Sequence, residues 1–212
     1  MDNYLNLCSG AKWPLELMPL KVYIGYYHLY NNVNPSNAGI CQNIIKKAFL
    51  EWQNAMNNKI CFDILPNGGD NLFSSQINVR FHDSESIHGG TTSDINENNL
   101  IYGSGIDIYM PRNYFDMRQL YFVTLCEIGI CLGLGNSNIP EDLTYRPYRF
   151  MTETPSQRDI NTINLLYGFA TNTFFPDEDN YTISSERNMW NELDGIAEAK
   201  KNLFNINFRN KN

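Results

Sequence analysis

Long apolar runs are missing from this 212-residue sequence. No stretch of about 18 apolar residues occurs, which argues against any membrane-spanning helix. A basic excess is missing too: 16 Lys and Arg stand against 23 Asp and Glu, for a net charge of -7. A phosphate-binding surface needs clustered Lys and Arg, so nucleic acid is not an expected partner. The opening segment, Met1 to Pro14, has neither a basic start nor an apolar core and does not read as a secretory signal. A chain complete as it stands is expected in the cytoplasm; one cut from a longer precursor would be secreted or periplasmic. Paired cysteine spacings are absent, since the five cysteines fall at positions 8, 41, 61, 126 and 131. An odd, scattered set points to reduced thiols and not to a disulfide framework. Histidine is scarce, with only His28, His82 and His88.

What is present describes a folded globular protein, with 42% hydrophobic and 18% charged residues. Leu20 to Tyr26, after Pro19, predicts a first strand. From Asn37 a helical period brings Ile40, Ile44, Ile45, Ala48, Phe49, Trp52, Ala55 and Met56 onto one broad face, ended by Asn57 and Asn58. Ile60 to Leu65 predicts a second strand, and Asn67-Gly68-Gly69-Asp70 a turn. Ile77, Val79 and Phe81 alternate with polar residues as a third strand, and Ile106, Ile108 and Met110 repeat the pattern up to Pro111. The Gly, Ser, Thr, Asp and Asn between His82 and Asn99 predict a polar loop. A second helix is expected from about Arg118 to Gly133, where Gly133 and Gly135 end it. Pro155 is expected in the first turn of a third helix running through Ile160, Ile163 and Leu166 to Gly168. The fold class is α+β.

The second helix carries Cys126-Glu127-Ile128-Gly129-Ile130-Cys131-Leu132-Gly133-Leu134-Gly135-Asn136-Ser137. This run resembles the metzincin signature in its matrixin form, H-E-I-G-H-A-L-G-L-G-H-S, at eight of twelve positions. Trp13-Pro14 before Leu20-Lys21-Val22-Tyr23-Ile24, Ala48-Phe49-Leu50-Glu51-Trp52, Ile77-Asn78-Val79-Arg80-Phe81 and Gly89-Gly90-Thr91-Thr92 are similar, in the same order, to segments of bacterial matrixin-like domains. So is Ser156-Gln157-Arg158-Asp159-Ile160, continuing to Leu166-Tyr167-Gly168. The resemblance covers residues 12–168. It implies a zincin-like twisted mixed sheet with an N-terminal helix, an active-site helix and a C-terminal helix. Residues 169–212 form an extension, with Met189, Trp190, Leu193, Ile196 and Leu203 as the apolar stripe of an amphipathic helix that packs on the domain or docks to a partner.

The resemblance also implies a zinc held by three His, with a methionine turn beneath it. Cys126, Ile130 and Asn136 stand at the three ligand positions. Pro140-Glu141-Asp142-Leu143-Thr144-Tyr145 matches the methionine-turn segment, with Thr144 in place of the Met, and Met151 lies too far along to replace it. Ile130 has no donor atom and an asparagine oxygen is a poor zinc ligand, so no catalytic zinc is expected. Glu127 keeps the family's general-base position. Without a metal it is expected to be vestigial, a partly buried carboxylate held neutral or by hydrogen bonds. A nucleophile built from Cys126 would need a histidine brought across the cleft. Cys126 and Cys131 lie roughly 140° apart around the helix axis, which leaves them as small buried apolar residues. The polar loop could hold calcium through Asp83, Asp94 or Glu97, without a recognisable ligand spacing.

These features predict an inactive pseudo-protease whose cleft binds an extended peptide or protein, along a sheet edge supplied between Gly89 and Ile108. Two alternatives stand beside it. One is an active metallopeptidase with a non-standard ligand set that includes Cys126. The other is a structural protein docking through its C-terminal helix. The sequence leaves the oligomeric state open.

Overall fold

A computed structural model describes residues 2–25, 35–66, 74–111, 116–146 and 151–169. All belong to one compact unit, Met1–Phe175. The chain is an α+β protein. Its elements, in order, are β1 (Leu20–Ile24), α1 (Pro35–Ala55), β2 (Phe62–Ile64), β3 (Ile77–Asp83), β4 (His88–Ile95), β5 (Ile101–Met110), α2 (Met117–Cys131) and α3 (Gln157–Gly168). The five strands form one sheet in the order β2-β1-β3-β5-β4. Strands β2, β1, β3 and β5 run parallel, and β4 runs antiparallel to β5 at the edge.

The strand pattern follows from two-residue alternation. Leu20, Val22 and Ile24 of β1, Ile77, Val79 and Phe81 of β3, and Ile106, Ile108 and Met110 of β5 are all buried in one core. Helix α1 buries Ala38, Cys41, Ile45, Ala48, Phe49 and Trp52 at helical spacing, while Ile40, expected on the same face, is 41% exposed. Helix α2 is buried on almost every side, from Leu120 to Cys131 with only Ile130 partly exposed. Such a helix has to sit inside the molecule, and α2 packs between α1 and strands β4 and β5. Its amino end is capped by the Asp116 carboxylate, which accepts from the Arg118 and Gln119 amides. At its other end Trp13 Nε1 donates to the Cys131 carbonyl at 2.8 Å and the Tyr167 hydroxyl to the Leu132 carbonyl at 3.1 Å. Two of the carbonyls that a helix end leaves unpaired are thus satisfied. Gly133 then turns the chain out at φ 105°, where an added Cβ would stand 2.2 Å from the Ala11 carbonyl.

Two further expectations change. Residues 82–99 are not a loop: His82 and Asp83 finish β3, and His88–Ile95 is a full strand. Apolar alternation fails there because, among the described residues, β4 has one neighbouring strand and its hydroxyls are satisfied within the sheet. Ser93 Oγ lies 3.1 Å from Ser104 Oγ, which donates to the Thr92 carbonyl at 2.9 Å. Pro155 precedes α3, whose cap is a Ser156–Asp159 capping box. The stripe from Met189 to Leu203 and His28 lie outside the described residues. Among the described residues, no helix is long and apolar enough to cross a membrane.

Candidate functional site

Helix α2 and strand β4 meet at Glu127. Its side chain is fully buried. One carboxylate oxygen pairs with Arg146 Nη2 at 2.9 Å, and the other accepts from the Thr91 hydroxyl at 2.8 Å. The same hydroxyl lies 3.0 Å from the Glu127 carbonyl oxygen, so Thr91 fastens β4 to α2 at one residue. Gly89 lets the strand come this close: a Cβ there would stand 2.5 Å from Glu127 Cγ and 2.9 Å from Val123 Cγ1. The Arg146 side chain is 13% exposed and closes the remaining side. A carboxylate in this setting is held as an ion pair with fixed geometry, not presented to a water molecule.

The positions where the resemblance implies metal ligands do not make a zinc site. Cys126 is fully buried and its thiol donates to the Leu143 carbonyl at 2.8 Å. Burial, and then the neighbouring Glu127 charge, push that thiol well above its ordinary pKa. A thiol has to lose its proton to bind zinc or to attack a carbonyl, so this one is suited to neither. Ile130 is partly exposed and brings no donor, while Asn136 is exposed. The donor set does not fit the ion. Among the described residues, no group of three or more His, Cys, Asp or Glu is arranged to hold a metal. Asp83 ends β3, Asp94 stands near the end of β4, and Glu97 lies in the following turn. All five cysteines are free, and burial pushes Cys131 up to about 12.

The turn after α2 is held by polar contacts among protein groups. Thr144, at the methionine-turn position, donates its hydroxyl to the Gly135 carbonyl at 2.8 Å. Tyr4 reaches in from the amino terminus: its hydroxyl donates to Asp159 and lies 3.1 Å from Thr144 Oγ1. Asp159 also accepts from the amides of Leu143 at 3.0 Å and Ser156 at 2.7 Å. Burial raises the Asp159 pKa against the opposing effect of those donors. Beside it, Asp142 accepts from the Ser137 hydroxyl, from Ser156 Oγ at 2.8 Å and from Arg158 Nη1 at 2.6 Å.

The sheet face away from α2 carries a second cluster. His82, Tyr109 and His88 occupy one cross-strand row on β3, β5 and β4. Their rings stack, with centroids 4.8 Å apart for His82–Tyr109 and 4.6 Å for His88–Tyr109. Asp107, one row below, accepts from Arg80 Nε and Nη2 and lies 2.6 Å from His82 Nε2. His82 and His88 therefore serve a π-stack, and neither touches Cys126, whose thiol is already donated.

Sequence reading found Glu127 but missed Arg146 as its partner. The available signal was position: Arg146 follows Thr144 by two residues, in the segment matched to the methionine turn. Thr91 belonged to a short motif with no assigned role. No protein-family model and no curated protein matches this chain.

Proposed function

We propose that this chain is a matrixin-like metzincin domain that has lost zinc catalysis, a pseudo-protease that binds an extended peptide or protein segment on strand β4 without cleaving it. The carrying observation is the state of Glu127. The carboxylate at the general-base position is buried under Gly89 and held by Arg146 and Thr91. A general base has to reach the proton it removes, and this one is engaged elsewhere. The five-stranded mixed sheet supports the family reading, as does α2 packed against its antiparallel edge strand. Strand addition draws affinity from main-chain hydrogen bonds, which need no metal. Strand β4 is the antiparallel end strand of the described sheet, and pairing along it would not depend on the missing ligands.

The test is paired. Protein purified without added zinc is analysed for metal, then incubated with a library of extended peptides followed by mass spectrometry. The expected result is substoichiometric zinc and peptides recovered bound and intact. About one zinc per chain, removable by chelator and lost in Cys126→Ser, together with cleaved peptides, would establish the active metallopeptidase instead.

A further inference from the structure

The segment that carries Arg146 is fixed before that side chain leaves it. The Cys126 thiol donates to the Leu143 carbonyl at 2.8 Å, the Leu143 amide to Asp159 at 3.0 Å, and the Ser137 amide to the Thr144 carbonyl at 3.3 Å. Leu143 is fully buried and Thr144 nearly so. Two residues on, the Arg146 guanidinium meets the buried Glu127 carboxylate at 2.9 Å, and its own side chain is 13% exposed. A side chain launched from so rigid a base has little room to swing aside. Its charge also reaches the first of the three positions where the resemblance implies ligands. Burial and the Glu127 charge raise the Cys126 pKa, and Arg146 opposes them.

Glu127 and Arg146 together are neutral. Imidazoles are neutral donors, so a divalent ion held by them beside this pair would leave its whole charge uncompensated in a buried site. Without Arg146, the Glu127 carboxylate would cancel part of that charge. We propose that Arg146 is a resident cation that excludes a divalent metal from the junction of α2 and its turn, independently of the missing ligands. The inference rests on the reading that Cys126, Ile130 and Asn136 stand at the positions of a lost zinc site. It goes beyond that reading in one respect: restoring the donors does not restore the ion while Arg146 remains.

The test restores donors with and without Arg146. One set is Ile130→His with Asn136→His, at a partly exposed and an exposed position, with Cys126 unchanged. The other set adds Cys126→His, at a fully buried position. The first set keeps the test open if the packed helix does not accept the larger ring. Each set is made with Arg146 intact, with Arg146→Gln and with Arg146→Lys. Folding is checked by circular dichroism, and zinc is titrated against a chromophoric chelator. Arg146→Gln keeps a donor for Glu127 and removes the charge, whereas Arg146→Lys keeps the charge. Arg146→Gln is expected to raise zinc affinity about a hundredfold in either set that folds, the scale on which a unit charge acts on a divalent ion away from bulk water. Arg146→Lys should leave the affinity close to that with Arg146. Zinc should accordingly raise the melting temperature most in the Arg146→Gln proteins. Equal affinity with Arg146 and with Arg146→Gln would overturn the exclusion and leave the family reading standing, because the restored donors would have bound the ion. Affinity as high in Arg146→Lys as in Arg146→Gln would overturn the assignment to charge. No zinc binding by any folded variant would mean that the three positions are not a ligand set, and the family reading would fall together with this inference.

Discussion

Glu127 and Arg146 have to be valued as a pair. A carboxylate with no solvent exposure is costly to bury alone, and the guanidinium at 2.9 Å offsets that cost. Arg146→Met leaves the carboxylate buried without its cation and is expected to destabilise the fold by about 3–5 kcal/mol. Replacing both members, Glu127→Leu with Arg146→Met, should recover most of that loss, because an apolar pair of similar volume has no charge to bury. Urea unfolding of the two variants checks both statements; a single variant as stable as the wild type would show that Arg146 does not compensate the charge. The sequence made Glu127 conspicuous because a helix motif has fixed spacing. Arg146 carried no such mark. Its partner lies 19 residues back, and only the turn at Gly133 and the chain that follows bring the two together. Loop residues that meet a helix through tertiary packing have no period to read.

Among the elements, the buried ones were the legible ones. Strands β1, β3 and β5 alternate Leu, Val, Ile, Phe and Met against polar residues, α1 holds its apolar positions at helical spacing, and α2 is buried almost all round. Strand β4 reads His-Gly-Gly-Thr-Thr-Ser-Asp-Ile and has no apolar face. It is a strand because β5 supplies its hydrogen bonds and Glu127 occupies the space beneath Gly89 and Thr91. Those causes are tertiary. They also give β4 a pH dependence through His88, whose pKa is lowered in the folded protein by burial and by Arg146. A folded state that binds this proton less readily than the unfolded chain loses stability as pH falls. The His88 contribution is therefore complete above about pH 6.5, the unfolded value, and declines below it. His88→Phe keeps a ring to stack on Tyr109 and removes the titration. Its stability relative to wild type should rise between pH 7 and pH 5 in thermal unfolding. A constant difference across that range would mean that His88 carries no linked proton.

Across the whole molecule, the amino-terminal segment belongs to the same core as the sheet and the helices. The family resemblance begins at Lys12, yet Tyr4 and Cys8 are buried in the cluster that includes Trp13, Leu132 and Ile163. Tyr4 connects the amino terminus to two distant parts of the chain: its amide donates to Thr162 and its hydroxyl to Asp159, both on α3, and that hydroxyl also meets Thr144. Arg158 donates to the Asn3 carbonyl at 3.1 Å, and Asn161 to the Asp2 carbonyl at 2.9 Å. The segment thus locks α3 against the turn that follows α2, the same turn that delivers Thr144 and Arg146. In a zinc protein the metal would tie helix to turn; here hydrogen bonds and ion pairs are the ties that the structure provides. A chain shortened to begin at Lys12 loses the burial of Tyr4, about 1.5–3 kcal/mol, and several hydrogen bonds of about 1 kcal/mol each. It also strips Asp159 of its Tyr4 donor. The expected drop in melting temperature is on the order of 10–20 °C. Tyr4→Phe separates the two contributions, since it keeps the ring and deletes the hydroxyl. It should lower stability by about 1–3 kcal/mol, the cost of leaving buried acceptors without a donor. If the shortened chain melted at the wild-type temperature, residues 1–11 would be an appendage, and the turn carrying Thr144 and Arg146 would owe its position to the segment from Lys12 onward.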